Sequence, residues 1–165
     1  MKKLLIILIL FFSYTTYSQT AEEYFNSGFE KMKNGDYEGA IVNYTKAIEL
    51  DPNYTYPYIT RGWSKNILKD YEGAIVDFNK AIELNPNDDD AYYNRGRSKH
   101  SLKDHSGAIV DYTKAIELNP SSHSYNNRGD AKEELGDLDG ACSDWRKAAN
   151  LGHTNSKKWV ANQCN

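Results

Sequence analysis

Beyond residue 20 the apolar positions recur in short periodic runs. Ala40, Ile41, Tyr44, Ala47, Ile48 and Leu50 follow the i, i+3, i+4 spacing of one helix face. Asn34-Gly35-Asp36 predicts a turn before that run. Asp51-Pro52 predicts its end, because the residue before a proline is pushed out of the helical region. The run then returns. Gly28, Gly62, Gly96 and Gly129 are separated by 34, 34 and 33 residues, and Ala40, Ala74, Ala108 and Ala141 keep the same steps. So do Tyr44, Phe78, Tyr112 and Trp145, and the small column Ala47, Ala81, Ala115 and Ala148. Pro52, Pro86 and Pro120 close three units, and His153 stands in that place in the fourth. A fixed period of this length predicts stacked helical hairpins.

The glycine falls inside the first helix of each hairpin, where it costs about 1 kcal/mol relative to alanine. The expected return is close approach: Gly62 leaves room for a partner helix that presents Ala74 and Ala81, with Phe78 filling the remaining space. A charged column runs beside it. Arg61, Arg95 and Arg128 precede the glycines, and Asp77, Asp111 and Asp144 lie sixteen residues further on. Unit one has Ser27 and Asn43 there, losing both charges together. This predicts an ion pair within each repeat; a row of ligand-binding arginines is the alternative.

The succession of an aromatic (Tyr24, Tyr58, Tyr92, Tyr125), glycine, alanine, a second aromatic, alanine and proline resembles the tetratricopeptide repeat. The likeness is closest in DYEGAIVDFNKAIELNPN at 70–87 and SGAIVDYTKAIELNP at 106–120. Two departures stand out: Lys31, Lys65, Lys99 and Lys132 occupy a place usually aromatic, and unit four ends atypically in ACSDWRKAANLGH. The resemblance implies an all-α fold, a right-handed superhelical solenoid of about four helix-turn-helix repeats at 21–54, 55–88, 89–121 and 122–153. Residues 154–165 read as a polar capping helix and tail, which gives the terminal unit a solvent-tolerant outer face.

The resemblance further implies a concave groove lined by the first helices and used for a peptide or protein partner. Carried over position by position, unit one offers Phe25 and Phe29, and unit two Tyr56, Ile59 and Trp63. Unit three offers Tyr93, Arg97 and His100, and unit four Asn126, Asp130 and Glu133. The groove thus runs from aromatic through basic to acidic. Aromatics and arginine are typical anchors at interfaces; groove filling or self-association is the alternative for the aromatics. The family's clamp for chaperone carboxylate tails needs Lys, Asn and Arg, but the corresponding places here read as Phe25, Phe29, Thr60, Asp90 and Asn94.

Residues 1–18 change the picture of where this happens. Lys2 and Lys3 precede nine unbroken apolar residues, Leu4 to Phe12, and Thr16-Tyr17-Ser18 presents small side chains for cleavage. That is a signal peptide, with the cut expected between Ser18 and Gln19. An uncleaved anchor would need about 20 apolar residues. The expected product is soluble and periplasmic or secreted, with no stable membrane insertion. Without the two leader lysines, 18 basic residues face 23 acidic ones, so nucleic acid is not an expected partner.

Catalytic, cofactor and metal readings are not supported. No glycine-rich phosphate loop or nucleophile with an evident base is present. His100 and His123 are read at levels about 15 Å apart, too far to share a metal. Asp88-Asp89-Asp90 reads as helix capping. The chain has two cysteines. Cys142 falls in the inward column of Ile41, Ile75 and Ile109, about ten residues before the Gly152-His153 turn, and Cys164 about eleven after it. Two antiparallel helices would hold them level, which predicts a disulfide; an inward small residue and an unrelated tail thiol are the alternative.

Overall fold

The computed structural model describes residues 19–164; the expected signal peptide at 1–18 lies outside them. The described residues form nine helices and no strand: α1 Ala21–Lys33, α2 Tyr37–Leu50, α3 Thr55–Ile67, α4 Tyr71–Leu84, α5 Asp89–Ser101, α6 His105–Leu118, α7 Ser122–Glu134, α8 Leu138–Asn150 and α9 Thr154–Gln163. None of these is long and apolar enough to cross a membrane.

Local chemistry sets the boundaries. Asp36, Asp70, Asp104 and Asp137 each cap a second helix, accepting from the N–H of Gly39, Gly73, Gly107 and Gly140. Thr20 and Glu23 form a reciprocal capping box on α1. Asp88 caps α5 through the Ala91 N–H, which accounts for the start of the aspartate run. Between the helices of a hairpin the chain takes one left-handed residue: Gly35 and Gly136 in the outer repeats, Lys69 and Lys103 in the middle two.

Each helix packs on the next in sequence, so the chain is a linear stack of hairpins. The first helices of successive repeats also touch, α1 on α3, α3 on α5 and α5 on α7. No comparable contact joins the second helices to one another among the described residues. Closer spacing on one side curves the stack, which puts α1, α3, α5 and α7 on the concave side. Ala40, Ala74, Ala108 and Ala141 are fully buried, as are Tyr44 and Phe78. A Cβ built on Gly62 would stand 2.9 Å from the Phe78 ring, and one on Gly28 2.7 Å from Tyr44, so the glycines are required by close approach. Leu50, read as part of the apolar face, is instead half-exposed at the end of α2.

The charged column is an ion pair, as expected, and has a third member. Arg61 Nη2 donates to Asp77 Oδ1 at 2.6 Å and its Nε to Oδ2 at 3.0 Å, while Lys65 Nζ lies 2.8 Å from Oδ2. Arg95–Asp111–Lys99 and Arg128–Asp144–Lys132 repeat this arrangement. The lysine that departs from the family pattern thus brings a second cation to the same buried carboxylate. Each arginine also spans repeats: Nη1 of Arg61, Arg95 and Arg128 donates to Thr45, Asn79 and Thr113 on the preceding second helix. In the uncharged first repeat, Asn43 donates to Ser27 at 2.9 Å.

The stack ends on α9. Cys142 and Cys164 are disulfide-bonded, with Cα atoms 5.4 Å apart. Trp159 packs on Trp145 at 5.3 Å between ring centroids.

Candidate functional site

The concave side divides into three stretches. The first is aromatic. The i, i+4 spacing of Phe25 and Phe29 puts both on one face of α1, their rings stacked with centroids 6.3 Å apart. Phe25 also meets Tyr56 at 6.4 Å and Tyr54 at 5.3 Å, and Tyr54 stands edge-on to Tyr56. Tyr56 is 64% exposed and Phe29 36%, so these rings offer apolar surface to solvent. Sequence reasoning missed Tyr54: it stands in the N-cap column of Thr20, Asp88 and Ser121 but makes no side-chain cap, and it follows the proline turn that brings the chain back over α1. Trp63 is not part of this cluster. It lies half-buried against the edge of Tyr37, and Ile59 packs on the buried cluster of Tyr58, Ala81 and Ala91.

The second stretch is a polar cleft of about 140 Å³, lined by Arg97, His100, Ser101, Tyr112, Asn127 and Asp130. The Arg97 guanidinium lies over the Tyr93 ring at 5.9 Å. Tyr93 leans on Tyr112, and its hydroxyl accepts from Asn127 at 3.1 Å. Burial, and secondarily the neighbouring His105, hold His100 below the ordinary imidazole range.

The third stretch is acidic. Asp130 accepts from Trp145 Nε1 at 2.8 Å and from Asn126 Nδ2 at 3.0 Å. Burial pushes its carboxyl up to about 6, with the Glu133 carboxylate acting in the same sense and the two hydrogen bonds against it. The cleft therefore changes charge near neutral pH. Glu133 and Glu134 are exposed beyond it.

One assigned groove residue is corrected. Asn126 is 6% exposed and faces the next element: its Oδ1 accepts from Ser156 of α9 at 2.7 Å. Its column holds Phe25, Ile59 and Tyr93 in the other repeats, a place where first helices meet each other as much as the groove. The same kind of buried link joins α3 to α5, where Ser98 donates to Asn66 Oδ1 at 2.7 Å. No buried side-chain polar atom among the described residues lacks a partner. Nor do three or more His, Cys, Asp or Glu side chains converge there on a point that could hold a metal.

Comparisons with known proteins agree with this architecture. Family models described as tetratricopeptide repeat match residues 21–54, 89–122 and 122–151, and one described as TPR repeat matches 66–103. A search of curated proteins finds no match. Among solved structures, a crystal structure of MamA superposes with a TM-score of 0.78 at 29% identity, covering 83% of this chain and 81% of that one. The first TPR of Spaghetti (RPAP3), solved bound to the HSP90 peptide SRMEEVD, gives 0.70 at 30% identity, over 72% of this chain and 95% of that one. MamA residues 41 to the end from Desulfovibrio magneticus RS-1 shares the fold at 0.78 and 19% identity, over 89% and 94%. The chain belongs to the tetratricopeptide-repeat family.

Proposed function

We propose that this chain is an exported, non-enzymatic scaffold that binds an extended peptide or protein segment along its concave side. The observation that carries this reading is the ring cluster of Phe25, Phe29, Tyr54 and Tyr56 at the α1 end of that side, with Phe29 and Tyr56 exposed. Clustered apolar surface of this kind marks interaction sites. The RPAP3 relative supports it, since that domain is solved with a peptide. The ligand here differs in chemistry from a chaperone tail: aromatic rings and Asp90 stand where a carboxylate clamp needs cations. Its preferred segment is apolar against α1 and α3, acidic at Arg97, and basic at Glu133 and Glu134.

Panning a random peptide library on the chain from Gln19 onward tests the reading. Enriched peptides are expected to lose affinity at least about tenfold when Phe29 and Tyr56 are both changed to Ala, with the melting temperature nearly unchanged. Affinity unaffected by the double variant would move the site away from the rings. Concentration-dependent mass in dilute solution, lost in the same variant, would favour self-association instead.

Export is supported by the leader pattern and by the Cys142–Cys164 bridge, since disulfides persist in oxidising compartments. Mass spectrometry of the protein recovered outside the cytoplasm is expected to find Gln19 at the N-terminus. Intact Met1 in a membrane fraction would replace export in soluble form with anchoring.

A further inference from the structure

Two imidazoles meet across the turn between α5 and α6. His100 lies in the last turn of α5 and His105 opens α6. Their Nδ1 atoms are 3.4 Å apart and their rings are inclined at 73°, with centroids separated by 4.9 Å. At that distance the two nitrogens are within hydrogen-bonding reach of each other, the donor depending on the tautomer. The same separation also fits a second arrangement. Two nitrogens each about 2.05 Å from one tetrahedrally coordinated ion stand about 3.3 Å from each other.

We propose that His100 and His105 form a two-imidazole site for a divalent transition-metal ion of the zinc class, bound through both Nδ1 atoms. The chain supplies two ligands, so the remaining coordination positions fall to water or to a side chain of whatever occupies the groove. Imidazole suits Zn²⁺, Cu²⁺ and Ni²⁺ alike, and zinc is the simplest probe because it has no redox chemistry.

Three observations support the assignment. Both rings are half-buried, so an ion can reach them, and His100 lines the cleft beside Arg97, Ser101 and Asp130. The turn is tied down by the Lys103 N–H donating to the His100 carbonyl at 2.9 Å and the Asp104 N–H to that of Lys99, so the backbone that carries the two rings is fixed before any ion arrives. And the fold does not require histidine at either position. The places of His100 in the other repeats hold Met32, Asn66 and Glu133, and those of His105 hold Tyr37, Tyr71 and Leu138. Nearby charge is mixed: the Glu134 carboxylate acts on His100 in one sense and Lys103 in the other.

The second histidine pair gives a contrast. His123 and His153 stand edge-on with centroids 5.5 Å apart, but His153 Nδ1 caps α9, accepting from the Ser156 N–H at 3.3 Å. That nitrogen already serves the fold, so this pair is an internal control.

Calorimetric titration of the chain from Gln19 onward with zinc chloride at mildly alkaline pH tests the proposal. One equivalent is expected to bind with micromolar affinity. His100→Asn and His105→Tyr import residues that the second repeat already carries, so each is expected to keep the helical spectrum while weakening zinc binding at least about tenfold. His123→Ala is expected to leave binding unchanged. In nitrogen-15 imidazole spectra, zinc should shift Nδ1 rather than Nε2 of both His100 and His105. The proposal is overturned by an absence of saturable binding up to millimolar zinc, by binding that survives both substitutions, or by binding that depends on His123.

Discussion

Asp144→Ala is expected to lower the stability of the chain by about 3 kcal/mol, measured by urea unfolding at neutral pH. The carboxylate is 2% exposed and stands between two cations, with Arg128 Nη2 at 2.7 Å and Lys132 Nζ at 2.8 Å. Arg128 and Lys132 are 13% and 22% exposed, so removing the anion leaves two largely buried positive charges facing each other. The cost lies in that uncompensated charge more than in the lost contact. Replacing Arg128, Lys132 and Asp144 together by apolar residues of similar size is therefore expected to cost less than removing Asp144 alone. A loss below about 1 kcal/mol for the single variant, or a triple variant that is worse, would contradict this account.

The same group sets a pH dependence. Burial raises the Asp144 pKa, but the hydrogen bonds and charges of Arg128 and Lys132 outweigh it, so the carboxyl ends below its ordinary value of 3.8. A depressed folded value means the contribution is present above the unfolded value and is lost as the pH falls through the folded one. Acid unfolding of the native chain below about pH 4 should draw on this loss. Asp144→Ala should show a flatter stability profile in that range. Arg128 also donates to Thr113 of the preceding repeat, so the damage should spread across that boundary. In a solenoid stabilised by nearest-neighbour interfaces this appears as lost cooperativity between the third and fourth repeats.

How much of this was legible in the residues depended on the kind of constraint. The glycine facing an aromatic, as Gly62 faces Phe78, is a steric feature found in all four repeats, and the close approach it announced is borne out: a Cβ on Gly62 would stand 2.9 Å from the ring. The arginine and aspartate columns were legible because both charges vanish together in the first repeat. Lys65, Lys99 and Lys132 were visible only as a departure from a family pattern; their partner is the same aspartate, and one carboxylate with two cations is not a spacing rule. Asn126 was misplaced for a related reason. Its neighbours in the column are apolar and fit either the groove or the helix–helix seam, and only the position of Ser156 on α9 decides between them. The His100–His105 pair was not legible, because two residues five apart across a turn lie on no single helix face. Tyr54 lies outside every helix, and its only signal was a ring in a column whose other members, Thr20, Asp88 and Ser121, are capping residues.

Reducing the Cys142–Cys164 bridge is expected to release α9 while leaving the four hairpins folded. The bridge closes a separation of 22 residues, which in the chain-entropy model contributes roughly 3 kcal/mol. A ten-residue helix is too short to persist alone in water, so α9 depends on its anchors. Those are the Trp145–Trp159 contact, the buried hydrogen bond from Ser156 to Asn126, the His153 cap, and Arg146 donating to the Cys164 carbonyl at 2.6 Å. The first three act toward the start and middle of the helix. The disulfide and Arg146 hold its far end, so losing the covalent link lets the helix fray from the C-terminus back toward Trp159. Hydrogen exchange on the oxidised and reduced protein separates this from global loosening. Amide protection should fall in α9 and the facing surface of α8, and stay unchanged in α1 to α6. Equal protection of α9 in both states would remove the staple from the account, and two free thiols per chain in the unreduced, denatured protein would remove the bridge itself.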